Sequence, residues 1–416
     1  MMMNAPNARD GSRVHNRAAV KINSVKGTHS MSDEMWALAF DRSKNSWENS
    51  KGLTKVRVPK PVLDEDSNAL DAERVIIKVH YSGFCGSDKG IWNRNAFKEM
   101  IFGSLDEEGK DFRVTGHEML GEVAEAGSLA EKHYGFRPGD MVTAESHITC
   151  GKCLQCRIGQ REVCQDELII GFSLDGCFAE YIKLPAEVLW KSDPQKIRPE
   201  VGAIQEPFGN AVHACTKVDL RGKSLAVFGC GTIGLFTILT ARALGVSKIV
   251  GIEPKEENAR LAERIGADKV IRFEPKDGWR SDPDVVAAVR EFGGGGVDVA
   301  IEMAGFNSSV NNTLKSVRMG GEVVLFGIKT GDFQIERLDR VIVAGVTMYS
   351  VIGRRIFQTW NISTNLLEAR ENQIQDRIFD VILNQGKDTV IPIADFEPGD
   401  FERRFNAHPK VIIRWL

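Results

Sequence analysis

Four cysteines, Cys150, Cys153, Cys156 and Cys164, fall within the segment "ITCGKCLQCRIGQREVCQ", half of the 8 cysteines in a 416-residue chain. Two chemistries use cysteine at this density, paired disulfides and a metal clamp. Disulfides serve secreted chains, above all small ones that cannot build a core. No apolar signal-like run stands near the start here, and the chain is long enough to bury ample core. The spacing C-x2-C-x2-C-x7-C lets four thiolates converge on one tetrahedral ion, as zinc requires. A structural zinc site is therefore expected, against the plainer alternative of four unrelated buried thiols.

A second set of ligand-type residues lies on either side of this cluster. "GFCGSDKG" carries Cys85, Ser87 and Asp88; "VTGHEMLGEV" carries His117 and Glu118; "IQEPFGNAVHA" carries Glu206. Cysteine, histidine and carboxylate are the ligands of a catalytic zinc that keeps one position open. Each residue alone has a bland role, such as a small core cysteine or a helix-capping glutamate. Together they point to Cys85 and His117 as ligands, with either Glu118 or Glu206 as the third. Zinc lowers the pKa of bound water from 15.7 to about 7 and should act comparably on an alcohol. Alcohol oxidation is the chemistry that needs this help, because a proton must leave oxygen as a hydride leaves carbon.

The hydride acceptor has its own signature. Gly229, Gly231 and Gly234, with Thr232 and Ile233 between them, form G-x-G-x-x-G after the apolar run "LAVF" and at the start of an amphipathic stretch. The glycines permit a tight turn and a close approach of backbone to pyrophosphate, whose charge sits at a helix N-terminus. Glu253 ends the next strand pattern, where it would accept hydrogen bonds from ribose hydroxyls and oppose a 2′-phosphate. NAD is thus expected in preference to NADP.

The elements that must hold these residues read as two kinds. "MWALAF" and "ERVIIKVHYSGFCG" alternate like strands of a β-rich domain. From about 207 to 351, "DKVIRF", "VDVAIEMAG", "GEVVLFGI" and "VTMYSVIG" alternate with helical patterns, predicting a doubly wound parallel sheet. Residues 1–30 carry five basic side chains against the single acid Asp10 and little apolar pattern, so a disordered arm is expected there. Lys plus Arg total 54 against 57 acidic residues, a net charge of −3, which argues against a nucleic-acid partner. No apolar run is long enough for a membrane span, and a cytoplasmic protein is expected.

The combination of a four-cysteine lobe, "CGSD", "GHE" and a dinucleotide fold resembles the zinc-dependent medium-chain alcohol dehydrogenase family over about residues 33–416. "SHITCGKC", "GCFAEY", "EPFGNAVHA" and "GRRIFQTW" place the resemblance nearest its threonine dehydrogenase branch. The resemblance implies an α/β two-domain fold: a GroES-like β-rich catalytic domain (31–206 and 352–416) and an NAD-binding Rossmann domain (207–351). It implies two zinc ions per chain, Ser87 as the group that takes the alcohol proton, and His147 as a residue that tunes substrate choice. It also implies a homodimer or homotetramer paired through "VTMYSV". An amino-alcohol substrate such as L-threonine would need a cation for its carboxylate, with Arg354 the candidate and Arg355 its substitute. Three departures stand out: Gly90 replaces the family's relay histidine, Asn258 stands where an arginine is expected, and the segment 88–116 is long. Two alternatives follow, a polyol or vicinal-diol dehydrogenase and an inactive NAD-binding redox sensor.

Overall fold

The computed structural model describes residues 34–328 and 331–416; the N-terminal arm expected over 1–30 lies outside the described residues. The long strand Arg74–Phe84 is the hub of a seven-stranded mixed sheet. It pairs antiparallel with Glu118–Ala126, with Tyr181–Pro185 and with the C-terminal strand Val411–Arg414. Alternation along this strand sends Val75, Ile77 and Val79 into one core, which also contains Phe84, Phe178 and Phe401. Fully burying one such apolar side chain stabilises by about 1.5–3 kcal/mol, so the hub is fixed firmly. The strand ends at Phe84, and its partner begins at Glu118. Cys85 and His117 therefore sit side by side at adjacent strand ends.

The second half holds a parallel sheet of six strands in the order Lys269–Ile271, Lys248–Ile252, Ser224–Phe228, Val297–Glu302, Val317–Leu325 and Thr347–Ser350. Counted along the chain, that order is 3-2-1-4-5-6, the doubly wound arrangement whose crevice lies where the order reverses, beside Ser224–Phe228. Period-two alternation covers both faces. Leu225 and Val227 join the core of helix Thr232–Ala243, while Ala226 and Phe228 join that of helices Pro283–Gly293 and Asn307–Ser316. A strand buried on both faces reads as a continuous apolar run, as "LAVF" does.

The long segment 88–116 folds as two helices, Gly86–Trp92 and Lys98–Glu108, rather than as open loop. Gly109, at φ +64°, terminates the second. Arg113 anchors it: its fully buried guanidinium donates to Glu108 and Asp175, tying helix and sheet together. No helix of the described residues is long and apolar enough to cross a membrane.

Candidate active site

Ligand-type atoms of Cys85, His117 and Glu118 all lie within 4.8 Å of one another. Asp88 sets this geometry. Its Oδ2 accepts the Cys85 backbone N–H at 2.9 Å, and its Oδ1 lies 3.6 Å from His117 Nδ1. That leaves His117 Nε2 on the side of Ser87, whose hydroxyl lies 3.4 Å away. Burial opposes charge on His117, but Asp88 and the Cys85 thiol outweigh it, so the ring's pKa stands well above its ordinary value. Burial raises the Glu118 pKa, with Lys410 opposing and Glu206 adding to the rise. Glu118 Oε1 is buried without a hydrogen-bond partner, as is His117 Nδ1. A thiol, an imidazole and an unsatisfied carboxylate oxygen converging in this way fit a divalent zinc ion.

Glu206, the other candidate third ligand, is not brought into that cluster. Its Oε1 accepts from Ser146 Oγ at 2.8 Å and pairs with Arg354 Nη1 at 2.8 Å. This arrangement also corrects the expectation for Arg354. The guanidinium is 2% exposed, and Nε donates to Glu145 Oε2 at 2.9 Å while Nη2 pairs with Glu145 Oε1. Nη1 also donates to Asn210 Oδ1 at 2.8 Å, and Nη2 to Ser146 Oγ at 2.9 Å. All three nitrogens are committed, so Arg354 is a cross-link between buried carboxylates and offers nothing to a substrate carboxylate. Burial would raise the Glu145 pKa, but Arg354 and His147 hold it far below the usual carboxylate range. His147 is part of the same network through Nδ1, 2.9 Å from Glu145 Oε1. Arg355 is exposed.

Glu145, Trp360 (whose Nε1–H donates to Glu145 Oε2 at 2.8 Å) and Lys410 were missed from the sequence. An acid inside the apolar run "MVTAESHI" was the one available signal for Glu145. "HPKVIIR" carries none for a buried lysine.

The four sulfurs of Cys150, Cys153, Cys156 and Cys164 also lie within 4.8 Å of one another, and all 8 cysteines are free thiols. Backbone N–H groups face the sulfurs: Cys150 N–H donates to Cys164 Sγ and Cys153 N–H to Cys150 Sγ, at 3.3 and 3.4 Å. Backbone N–H groups lower the pKa of Cys150 and take that of Cys153 to about 6, while burial raises Cys156 and pushes Cys164 up to about 12, so the metal reading rests on the convergence of the four sulfurs.

Gly229 turns at φ +91°, and a Cβ on Gly234 would stand 1.9 Å from the Gly229 carbonyl oxygen, so only glycine lets helix and strand approach this closely. A Cβ on Gly231 would meet nothing within 4 Å, which leaves space there for a ligand against the helix that Thr232 begins. Glu253 is buried, and its carboxylate accepts the N–H groups of Cys230 and Lys255 at 2.8 and 2.9 Å. A cleft of about 180 Å³ joins the two halves. Cys85, Gly86 and Lys89 line it from one side, Gly231, Thr232 and Lys255 from the other, with His408 and Pro409 of the returning segment. Asn258 borders the same cleft.

Comparison with known proteins agrees with this geometry. Residues 71–194 match the model of the alcohol dehydrogenase GroES-like domain, and residues 232–369 match that of the zinc-binding dehydrogenases. The L-threonine 3-dehydrogenase of Bacillus licheniformis is 34% identical over 344 residues, covering 83% of this chain and 92% of the relative. That of Pyrococcus abyssi is 37% identical over 319 residues, covering 76% and 84%. The chain belongs to the zinc-dependent medium-chain alcohol dehydrogenase family. Among solved structures, 2R,3R-butanediol dehydrogenase from Bacillus subtilis superposes with a TM-score of 0.74 at 25% identity, covering 92% of this chain and 100% of that one. This medium-chain dehydrogenase is therefore an enzyme that acts on a small alcohol with zinc and a nicotinamide cofactor, and it is close to the threonine dehydrogenases.

Proposed function

We propose that the chain oxidises the secondary alcohol of L-threonine, or of a close amino alcohol, to a ketone with NAD as hydride acceptor. The observation that carries this reading is the convergence of Cys85, His117 and Glu118, with Ser87 beside them, where Cys85 also lines the cleft that runs to the Gly231 turn. Zinc held by these residues would polarise the substrate oxygen and ease loss of its proton. Ser87 accepts that proton while handing its own onward, and a nicotinamide cofactor held at the Gly231 turn would supply the two-electron acceptor for the hydride that leaves the substrate carbon. Asp88 orients His117, and the Gly231 turn would hold the diphosphate of a dinucleotide. Glu253, at the end of the second strand of the parallel sheet, supports NAD over NADP. Cys150, Cys153, Cys156 and Cys164 are assigned a second, structural zinc. Free thiols throughout accord with a reducing cytoplasm.

L-Threonine itself is favoured by the named relatives. A second reading, a vicinal diol, is favoured by the commitment of Arg354 to Glu145 and Glu206, which removes the expected carboxylate-binding cation. The test is reduction of NAD and NADP, followed at the absorbance of the reduced cofactor, with L-threonine, other amino alcohols, vicinal diols, polyols and simple secondary alcohols. Turnover of L-threonine with NAD is expected. Turnover of diols alone moves the assignment to the second reading, and no turnover with any secondary alcohol overturns both.

A further inference from the structure

Among the described residues, Phe97 is the one apolar side chain on a left-handed backbone, at φ +69°, a conformation that bulky residues rarely adopt. It precedes the helix Lys98–Glu108 without capping it through its side chain. Its ring is 38% exposed, so burial alone does not account for its place. Strain of this kind persists where the surroundings impose it, and it gathers at sites that bind ligands.

Two contacts fix where the ring lies. On one side it meets Phe172 edge to face, with centroids 4.7 Å apart, and the buried Phe172 ring lies 5.3 Å from that of His117. On the other side, its Cε2 lies 3.8 Å from where a Cβ on Gly90 would stand. Gly90 follows Ser87 by three residues in the helix Gly86–Trp92, so the two share a face. Ser87 Oγ is in turn 3.4 Å from His117 Nε2. The phenyl ring thus closes the angle between the Ser87 helix and the aromatic that backs His117. Helix Lys98–Glu108 secures both rings: the Phe97 carbonyl accepts the Ile101 N–H at 3.1 Å, and Ser104 Oγ donates to the Phe172 carbonyl at 3.1 Å.

We propose that Phe97 determines substrate specificity: with Phe172 it walls the substrate side of the Cys85, His117 and Glu118 cluster and admits only a methyl-sized apolar group on the carbon that is oxidised. The proposal rests on the dehydrogenase reading given above and narrows it to methyl carbinols, whether amino alcohols or vicinal diols. A phenyl wall offers no hydrogen bond to a hydroxymethyl group, so a polyol that carries one beside its reacting carbon is disfavoured.

The experiment uses full-length zinc-loaded protein and NAD. Values of kcat/KM are compared within two pairs, L-threonine against its ethyl homologue 3-hydroxynorvaline, and 2,3-butanediol against 3,4-hexanediol. An extra methylene in an apolar pocket is worth about 10–200-fold, so wild type should prefer the methyl member of the pair it turns over by about tenfold or more. Phe97→Ala should abolish that preference through a gain on the ethyl member, and Phe97→Leu, which keeps most of the bulk, should retain it. Phe97→Gly separates recognition from folding, because glycine adopts φ +69° without steric cost. Its urea midpoint, which needs no turnover to read, should hold or rise while the preference is lost, even if Phe97→Ala does not fold. A preference absent in wild type, or kept in Phe97→Gly, overturns the proposal and leaves the ring a packing group. No turnover of any of the four alcohols removes the dehydrogenase reading itself, and the proposal with it.

Discussion

Gly90 stands where the family's relay histidine would be, and sequence alone suggests restoring that histidine as a repair. The space around Gly90 argues otherwise. It lies inside the helix Gly86–Trp92, where alanine would ordinarily be preferred to glycine by about 1 kcal/mol. A Cβ at that position, however, would sit 2.9 Å from Ala96 Cβ, an atom fixed to the backbone of the following loop. Overpacking of this kind costs about 1–3 kcal/mol, enough to reverse the helix preference. Gly90→Ala should therefore lower unfolding stability in urea by about 1 kcal/mol, and Ala96→Gly in the same chain should recover most of the loss. A stabilised Gly90→Ala would show that the loop yields easily. With a histidine the displacement would be larger, so Gly90→His should disturb the loop over 93–97 before it could serve any proton path.

The elements that carry the reaction were largely legible, because their signals are local. "LAVF" and the three glycines specify a buried strand and a turn within a few residues, and Cys85 and His117 fall at the ends of strands whose apolar pattern is visible. What stayed hidden was pairing across distance. Arg354 meets Glu145 from 209 positions away, and no window of sequence contains both. An arginine in "VIGRR" therefore reads as available, when in the fold it is buried against Glu145, Ser146, Glu206 and Asn210. Removing it leaves Glu145 and Glu206 as buried carboxylates without their cation, a loss worth about 3–5 kcal/mol for a broken buried pair. Arg354→Ala is expected to reduce stability by that order in denaturant titration and to depress turnover of amino alcohols and simple secondary alcohols alike. A variant of wild-type stability whose KM rises for amino alcohols alone would return Arg354 to the substrate.

At the scale of the molecule, the parallel sheet ends in an open edge. Thr347–Ser350 pairs with Val317–Leu325 on one side and with no strand of the described residues on the other. Apolar side chains gather around it: Met348 is 43% exposed, Ile342 70%, Val343 78% and Met319 71%. An unprotected edge beside a patch of this kind is a site for association. We propose a twofold dimer in which this strand meets its own copy, so that each residue near the axis faces itself or a near neighbour. A charge introduced there is then doubled: Met348→Lys sets lysine near lysine across the axis, and like charges facing each other across paired strands are destabilising. Light scattering after size-exclusion chromatography should give wild type the mass of a dimer or a larger even assembly, while the double variant Ile342→Lys, Met348→Lys should shift towards the monomer with unchanged circular dichroism. Because a charge at an exposed edge leaves the monomer's own core untouched, a double variant of undiminished mass places the interface on another face, and the exposed patch around Met348 would then need a different occupant.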